Sequence, residues 1–377
     1  MVILNQRHLF DIPDDVTYLN CASYAPLLRE SVAAGEKGVA RKAHPWATST
    51  QIFEEADADV EQVRSLFAQL IGATADDIAI TPSTSYGIAT AAANLTVNPG
   101  QDIVVLEHQF PSNFHPWRQL ASDTGARLTQ VTRPSDSDWT AAIMAQLGPD
   151  TASNTAPDTA PKTAIVALPP CHWTDGVRID LVAIGARCRE IGAAFVVDAT
   201  QYIGAAPLDI AAIQPDFLTC SAYKWLLCPY TLAFLYAVPH RQQGRPLELR
   251  TDRPVDNARR YDMGEYYNFI NIPMAIAALQ QILDWTPDAI GQTLAPLTQH
   301  AANEARVRGL IVPPDAHRAP HFIGFRFPDG MPSEIDEKLA NDNVFAALRG
   351  DALRISPHLF CDTGDIDRFF SMLDQYM

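Results

Sequence analysis

The sequence predicts an α/β protein with a doubly wound, mostly parallel sheet, followed by a smaller α+β C-terminal unit. Three observations carry that prediction. Several short runs are apolar throughout rather than alternating, as strands covered on both faces must be. Stretches with helical periodicity separate these runs, in the rhythm of βαβ units. The pattern changes after Trp285, where helices and one short strand replace that rhythm.

Taken in order, Val60, Val63, Leu66, Phe67, Leu70 and Ile71 recur at helical spacing and Gly72 closes the helix. Ile78 to Thr81 is a strand stopped by Pro82, and a second helix starts at Thr84 to Tyr86 and runs to Asn94. Further strands are expected at 103–106, 163–168, 195–199, 216–221 and 231–237, with a helix carrying Leu181, Ile184, Cys188 and Ile191 between the second and third. The Pro-, Thr- and Ala-rich stretch 149–162 reads as a surface loop. A helix over Pro273 to Trp285 ends the large domain, expected at 18–285. Helices at 297–309, 333–341 and 365–376 and a strand at 321–327 then make a small domain, 286–377, on which the arm 1–17 packs.

Composition narrows the function. By length alone the 377 residues allow two or three domains, and the hydrophobic share of 47% is that of an ordinary globular chain. With 44 acidic against 28 basic residues the formal charge is −16, which repels nucleic-acid backbones and anionic lipid. The longest nearly apolar run, Trp225 to Pro239, is broken by Pro229 and is too short to span a bilayer. The first fifteen residues have neither the basic leader nor the apolar core of a signal peptide. Six scattered cysteines with no C-x-x-C pair suit reduced thiols rather than a disulfide framework or a zinc site. A cytoplasmic protein that binds neither nucleic acid nor membrane is expected.

Ligands of open α/β sheets bind outside the carboxyl ends of the strands, so the polar residues at those ends are the candidates. Lys224, one of only five lysines, follows a strand inside FLTCSAYKWLLCPYTLAFLYA, a stretch almost free of other charge. Desolvation lowers a lysine's pKa and yields the free amine that Schiff-base chemistry requires; a lysine snorkelling out of an apolar wall is the alternative. Asp198 ends the strand FVVDA twenty-six residues earlier, one crossover away, so the two belong at one sheet edge. A buried carboxylate there needs a cation, and a pyridinium nitrogen would serve; capping the next turn is the plainer role. TPSTSYG (81–87) places Ser83, Thr84 and Ser85 at a helix start, where unpaired N–H groups and the dipole favour a phosphate, or where a hydroxyl simply caps the helix. EHQFPSNFHPW (107–117) offers Phe110 for stacking and Asn113 beside it, or a loop aromatic covering the core. Neither a Walker loop nor a dinucleotide G-x-G-x-x-G occurs.

A phosphate loop, a stacking loop, Asp-x-x-Gln at a strand end and then Ser-x-x-Lys, in this order, resemble the pyridoxal-phosphate enzymes of fold type I. More narrowly, from Tyr18 to the C-terminus the chain is similar to the class V aminotransferase family, with VDATQ and SAYKW the most specific segments. The resemblance implies pyridoxal 5'-phosphate as cofactor, Lys224 as its Schiff-base partner and proton carrier, Asp198 on the pyridine nitrogen and Gln201 on the phenolic oxygen. It gives phosphate contacts to Thr84, Ser85, Ser221 and Tyr223, where many relatives have His in place of Tyr223. FPSN is similar to the FPSD of kynureninases, which puts Phe110 on the ring and Asn113 next to it. ALRISPHLFCDTGDIDRF resembles the family's small-domain motif and implies Arg354 as the clamp for a substrate α-carboxylate, a task suited to a planar bidentate fork. The resemblance also implies a homodimer, with MGEYYN (263–268) reaching the partner's phosphate. Glu265 stands there where relatives carry Thr, and it would repel that phosphate.

The reaction is less determined. The stretch NDNVFAALRGDALR (341–354) lacks the mobile-loop cysteine that cysteine desulfurases use, which argues against a persulfide route. RGDALRISPH is more similar to the kynureninase, isopenicillin N epimerase-like and hercynylcysteine lyase-like members. In CHWTDG (171–176), His172 is expected to touch substrate or ring and Trp173 to wall the pocket, with a plain loop role as the alternative; His44, Trp46 and His115 are further lining candidates. Transamination is the default expectation, a β-eliminating C–S lyase on a cysteine-derived substrate or a kynureninase- or epimerase-like activity the alternative, and a non-catalytic cofactor-binding sensor the lowest-ranked reading.

Overall fold

The computed structural model describes residues 2–47, 52–148, 162–249 and 255–377. Of the stretch 149–162, all but Lys162 lies outside the described residues. The strands are β1 (Thr17–Tyr18), β2 (Ile78–Thr81), β3 (Asp102–Leu106), β4 (Arg127–Val131), β5 (Thr163–Leu168), β6 (Ala194–Asp198), β7 (Phe217–Ser221), β8 (Ala233–Ala237), β9 (Ile323–Phe325), β10 (Val344–Phe345), β11 (Ala347–Arg349) and β12 (Ala352–Ile355). The α-helices are α1 (Arg29–Ala43), α2 (Ile52–Ile71), α3 (Thr84–Asn94), α4 (His115–Thr124), α5 (Trp139–Gln146), α6 (Leu181–Ile191), α7 (Ile210–Ile213), α8 (Asn271–Trp285), α9 (Pro287–Val307), α10 (Ile335–Asn341) and α11 (Thr363–Leu373).

Seven strands form one sheet in the order β2-β8-β7-β6-β5-β3-β4. β3 pairs in parallel with β4 and β5, β5 with β6, and β6 with β7, while β8 lies antiparallel between β2 and β7. Six strands therefore end at one edge, and β8 begins there. The sheet is mostly parallel, as the apolar runs required. The reversal of β8 is a matter of direction, which hydrophobicity does not encode. Successive side chains of a strand serve opposite faces. Thus Val104 and Leu106 of β3 pack into one core with α2 and α8, whereas Ile103 and Val105 pack into the other with α3 and α4. Phe67 of α2 stacks on Phe234 of β8 at 4.1 Å. Fully burying each such side chain contributes about 1.5–3 kcal/mol.

Beyond α8 the chain builds a three-stranded antiparallel sheet, β11-β12-β9, with α9, α10 and α11 around it. The N-terminal segment runs along this part: Gln6 N–H donates to Leu359 O (2.8 Å), and β1 pairs in parallel with β10. The chain then crosses to the large sheet. Ser356 N–H donates to Leu19 O, Gln201 Nε2 to Ala22 O, and Ala25 N–H to Tyr223 O. Residues 19–25 thereby tie the small sheet to the edge where the six strands end. Among the described residues no helix is long and apolar enough to cross a membrane.

Candidate active site

At that edge lies a cavity of about 280 Å³, walled by the loops after β2, β3, β5, β6 and β7 and by the start of β8. Of the residues singled out from sequence, Thr84, Ser85, Phe110, Asp198, Gln201, Ser221, Tyr223 and Lys224 all line it.

Lys224 sits three residues past the end of β7 and is 4% exposed. Its Nζ lies 5.2 Å from the centroid of Phe110 and 5.5 Å from that of Tyr223. Burial, then the positive charge of Arg354, pull its pKa down to about 8; Asp198 opposes the shift and Arg349 adds to it. The site thus favours an uncharged, nucleophilic amine.

Asp198 ends β6 and is 7% exposed. Burial pushes its carboxyl up, against hydrogen bonding from Thr200, whose N–H donates at 3.1 Å, and the charge of Lys224. No salt bridge relieves it among the described residues, so a cationic ring nitrogen would suit it. Gln201 Oε1 accepts from Trp225 Nε1 (2.9 Å) and Nε2 donates to Ala22 O (2.9 Å). The amide keeps a second N–H, and the residue lines the cavity.

Three hydroxyls form a knot that includes Thr200, the residue whose N–H serves Asp198. Thr84 Oγ1 lies 2.8 Å from both Thr200 Oγ1 and Ser221 Oγ, and Ser221 N–H donates to Thr200 Oγ1 at 3.1 Å. The knot stands at the N-terminus of α3, capped by Ser83, whose Oγ accepts from Tyr86 N–H. Gly87 makes this placement possible, since a Cβ there would meet Thr219 Oγ1 at 2.5 Å and lift the helix off β7. Ser85 Oγ donates to Ser112 Oγ at 2.9 Å on the same wall. Hydroxyls gathered at a helix N-terminus suit a phosphate. Tyr223 packs on Tyr230 at 4.3 Å and lines the same cavity as the knot.

Phe110 meets Trp173 edge-on at 5.3 Å, and Trp173 Nε1 donates to His108 O. His108, Leu227 and Thr231 hold left-handed backbone (φ 53°, 55° and 61°) around this edge. Such conformations are costly for branched residues and persist where the surrounding fold enforces them.

Other candidates lie elsewhere. His172 is fully buried, stacked on Trp139 at 5.4 Å, with Nδ1 2.8 Å from Thr174 Oγ1 and Nε2 3.3 Å from Glu107 O. Burial lowers its pKa to about 4, so it is neutral. It stands behind the wall, and its sequence neighbours Cys171 and Trp173 face the cavity instead. Asn113 is buried one layer back, its Oδ1 accepting from Trp117 Nε1. Arg354 is 1% exposed and holds Trp173 O (Nη1, 2.6 Å) and Ser23 Oγ (Nη2, 2.8 Å). It backs the wall that Trp173 forms. Trp46 is 80% exposed with His44 against it, and His115 opens α4; none of these three lines the cavity. Gly264 N–H donates to Glu248, and the neighbouring Glu265 is exposed. Sequence reading missed Thr200, Ser112, Gln109, Cys171, Tyr230 and Thr231 on the lining. Thr200 was within reach, since it lies two residues beyond Asp198 at the same strand end.

A buried lysine of lowered pKa, a carboxylate without a salt bridge, a stacking ring and a hydroxyl-rich helix start, set around one cavity at the edge of a mostly parallel sheet, define a pyridoxal-phosphate enzyme of fold type I. The Aminotransferase class-V family profile matches residues 17–352. The chain belongs to the class V aminotransferase family and is a pyridoxal-phosphate-dependent enzyme. It is 26% identical over 321 residues to the uncharacterized aminotransferase YcbU of Bacillus subtilis, covering 82% of this chain and 81% of that one. A probable cysteine desulfurase of Pyrococcus abyssi is 28% identical over 188 residues, covering 49% of this chain and 44% of that one. Among solved structures, the cysteine desulfurase CsdA of Escherichia coli superposes with a TM-score of 0.82 at 19% identity, over 98% of this chain and 97% of that one. The cystine C-S lyase C-DES, in complex with its product cysteine persulfide, superposes with a TM-score of 0.81 at 18% identity, over 96% and 98%.

Proposed function

We propose that the protein acts at Cα of an α-amino acid, with transamination as its reaction. The observation that carries this reading is the meeting of Lys224, Asp198 and Phe110 around one cavity, beside a pocket of hydroxyls. When bound, pyridoxal phosphate supplies an electron sink for charge developing at Cα. Asp198 would hold the ring nitrogen, Phe110 and Trp173 would flank the ring, and Thr84, Ser221 and Thr200 would take the phosphate. The amine of Lys224, its pKa lowered by burial, moves the proton at Cα, and Arg354 recognises the α-carboxylate. The wall of Trp173 and Phe110 excludes water from that transfer. In this reading the large unit (18–285) holds the cofactor, while the small unit (286–377) and the arm (1–17) bring up Arg354. Reduced thiols, all six of them buried and free, agree with a cytoplasmic protein. The exposed Val32, Val39, Trp46 and Phe53 along α1 and the start of α2 give a second copy an apolar face to cover.

A second reading is β-elimination from a cysteine-derived substrate, favoured by relatives named as probable cysteine desulfurases. With no cysteine in 341–354, it would run without a persulfide on that segment. A panel of amino acids, assayed with and without a keto acid, separates the two. Product formation that requires the keto acid supports transamination. Ammonia release without it supports the lyase. Full turnover by Lys224→Ala overturns both.

A further inference from the structure

Two arginines of the hairpin β11–β12 converge on one hydroxyl. Arg349 Nη2 donates to Ser23 Oγ at 2.7 Å, and Arg354 Nη2 donates to the same atom at 2.8 Å. The register explains the convergence. Ala347 pairs with Arg354, so Arg349, two residues on, is its diagonal neighbour on the same face. The other bonds go to carbonyls: Arg349 Nη1 to Leu348 O (2.7 Å) and Arg354 Nη1 to Trp173 O (2.6 Å). Arg354 Nε is buried and has no partner.

This arrangement leaves both guanidinia without a carboxylate in contact. Among the described residues the buried arginines Arg64, Arg187 and Arg318 each pair with a carboxylate, from Asp262, Glu190 and Asp315, and Arg354 pairs with none. The half-buried Arg349 also has no carboxylate in salt-bridge contact. Both lone pairs of Ser23 Oγ serve the guanidinia, so its proton is left to donate. Within contact distance the cluster is therefore made of donors and like charges only, with the carboxylate of Asp336 acting on Arg349 from farther off, in a chain whose net charge is −16. It stands directly behind the cavity wall, where Arg354 holds the carbonyl of the lining residue Trp173. Ala22 O is held by Gln201, the Tyr24 ring lies 6.1 Å from Tyr223, and both arginines bear on the amine of Lys224. One α-carboxylate neutralises one of these cations and leaves the other without a partner in a poorly solvated place.

We propose that Arg349, Arg354 and Ser23 form a two-cation subsite that selects an amino-acid substrate carrying a side-chain carboxylate as well as its α-carboxylate. This rests on the reading of the preceding subsection. Arg354 takes the α-carboxylate, Arg349 takes the side-chain acid, and the Ser23 hydroxyl bridges the two.

The test is a titration of the pyridoxal-phosphate-loaded protein with L-aspartate, L-glutamate and L-norvaline, followed by the cofactor's absorbance, in wild type and Arg349→Gln. In the wild type, one of the diacids is expected to bind at least about tenfold more tightly than norvaline. The variant is expected to lose about thirtyfold for that diacid and less than about twofold for norvaline. Equal weakening toward all three amino acids, or a wild type that prefers norvaline, overturns the proposal. A second readout needs no reaction at Cα: succinate or glutarate, but not butyrate, should raise the thermal midpoint of the wild type and fail to do so in Arg349→Gln. If no amino acid perturbs the cofactor, the broader reading of function falls. The thermal shift then decides the arginine pair, upholding it if dicarboxylates protect only the wild type and overturning it if they protect neither protein or both equally.

Discussion

The amine of Lys224 and the ring of Phe110 face each other at 5.2 Å although they stand on loops after β7 and β3, strands separated in the sheet by β6 and β5. Three inter-strand spacings of about 4.8 Å lie between their backbones. The two side chains meet only by reaching over the ends of β6 and β5. Asp198 ends β6, so all three surround one flat space.

The lysine's depressed pKa predicts how cofactor capture depends on pH. Burial and the charges of Arg354 and Arg349 bring it to about 8, well below an exposed lysine, so the free amine becomes the major form above that pH. The rate at which cofactor-free protein takes up pyridoxal phosphate should climb with pH up to about 8–9 and then level off. A rate still climbing near about pH 10.5, the range of an ordinary lysine, would contradict this.

The hydroxyl knot predicts a shared effect. Ser221→Ala and Thr84→Ala should each weaken pyridoxal-phosphate binding by about tenfold, the value of one good hydrogen bond to a charged group. Because their side chains bond each other at 2.8 Å, the double variant should lose less than the product of the two. Equilibrium titration followed by cofactor absorbance measures this; fully multiplicative losses would show that the two act separately.

Asp175 joins the large and small sheets. It is fully buried in the turn after β5, and its Oδ2 accepts from Arg133 Nη1 (2.5 Å) and from Arg326 Nη2 (3.2 Å), one residue beyond β9. Burial pushes its carboxyl up, but His172, Arg133 and Arg326 outweigh burial and hold it below the usual range. With His172 neutral, the two guanidinia carry that effect near pH 7. A lowered carboxyl pKa contributes stability above the ordinary carboxylate value and loses it as pH falls through the folded value. Asp175→Asn should destabilise the protein by about 3–5 kcal/mol near neutrality. The loss should shrink in acid, as chemical denaturation at two pH values would show. An unchanged midpoint would mean that the cluster is not a latch.

His358 predicts the opposite sign. Its ring is fully buried among Phe10, Trp225, Trp285 and Phe360, with no hydrogen-bond partner at either nitrogen. Burial, then the charge of His321, lowers its pKa to about 3. The folded ring stays neutral while the unfolded one takes a proton below about pH 6.5, so the wild type loses stability from there downward. His358→Phe should stabilise the fold by about 1–2 kcal/mol near neutrality and by more at lower pH. A variant no more stable at any pH would point to a buried water satisfying the ring.

The sheet and most of the cavity were legible because both follow local rules. Runs apolar on two faces marked the strands, and strand ends marked the cavity, which is how Lys224, Asp198 and Thr84 were found together, while Gln201 and Ser221 came from the family resemblance of VDATQ and SAYKW. β4 escaped notice because RLTQV is polar and lies at an exposed edge. His172 was read toward the cavity because no local pattern fixes the phase of a single extended step. Cys171 bridges to Arg178 in extended backbone, which sends Cys171 and Trp173 one way and His172 the other. The contact of Ser23 with Arg349 and Arg354 joins the two ends of the chain, and only the fold shows it.

The most direct test of the central claim is borohydride reduction of the pyridoxal-phosphate-loaded protein, followed by peptide mapping by mass spectrometry. The account predicts one added cofactor mass, on the peptide containing Lys224, and its loss in Lys224→Ala. Cofactor fixed to Lys37, Lys42, Lys162 or Lys338 instead, or to no peptide, would contradict it.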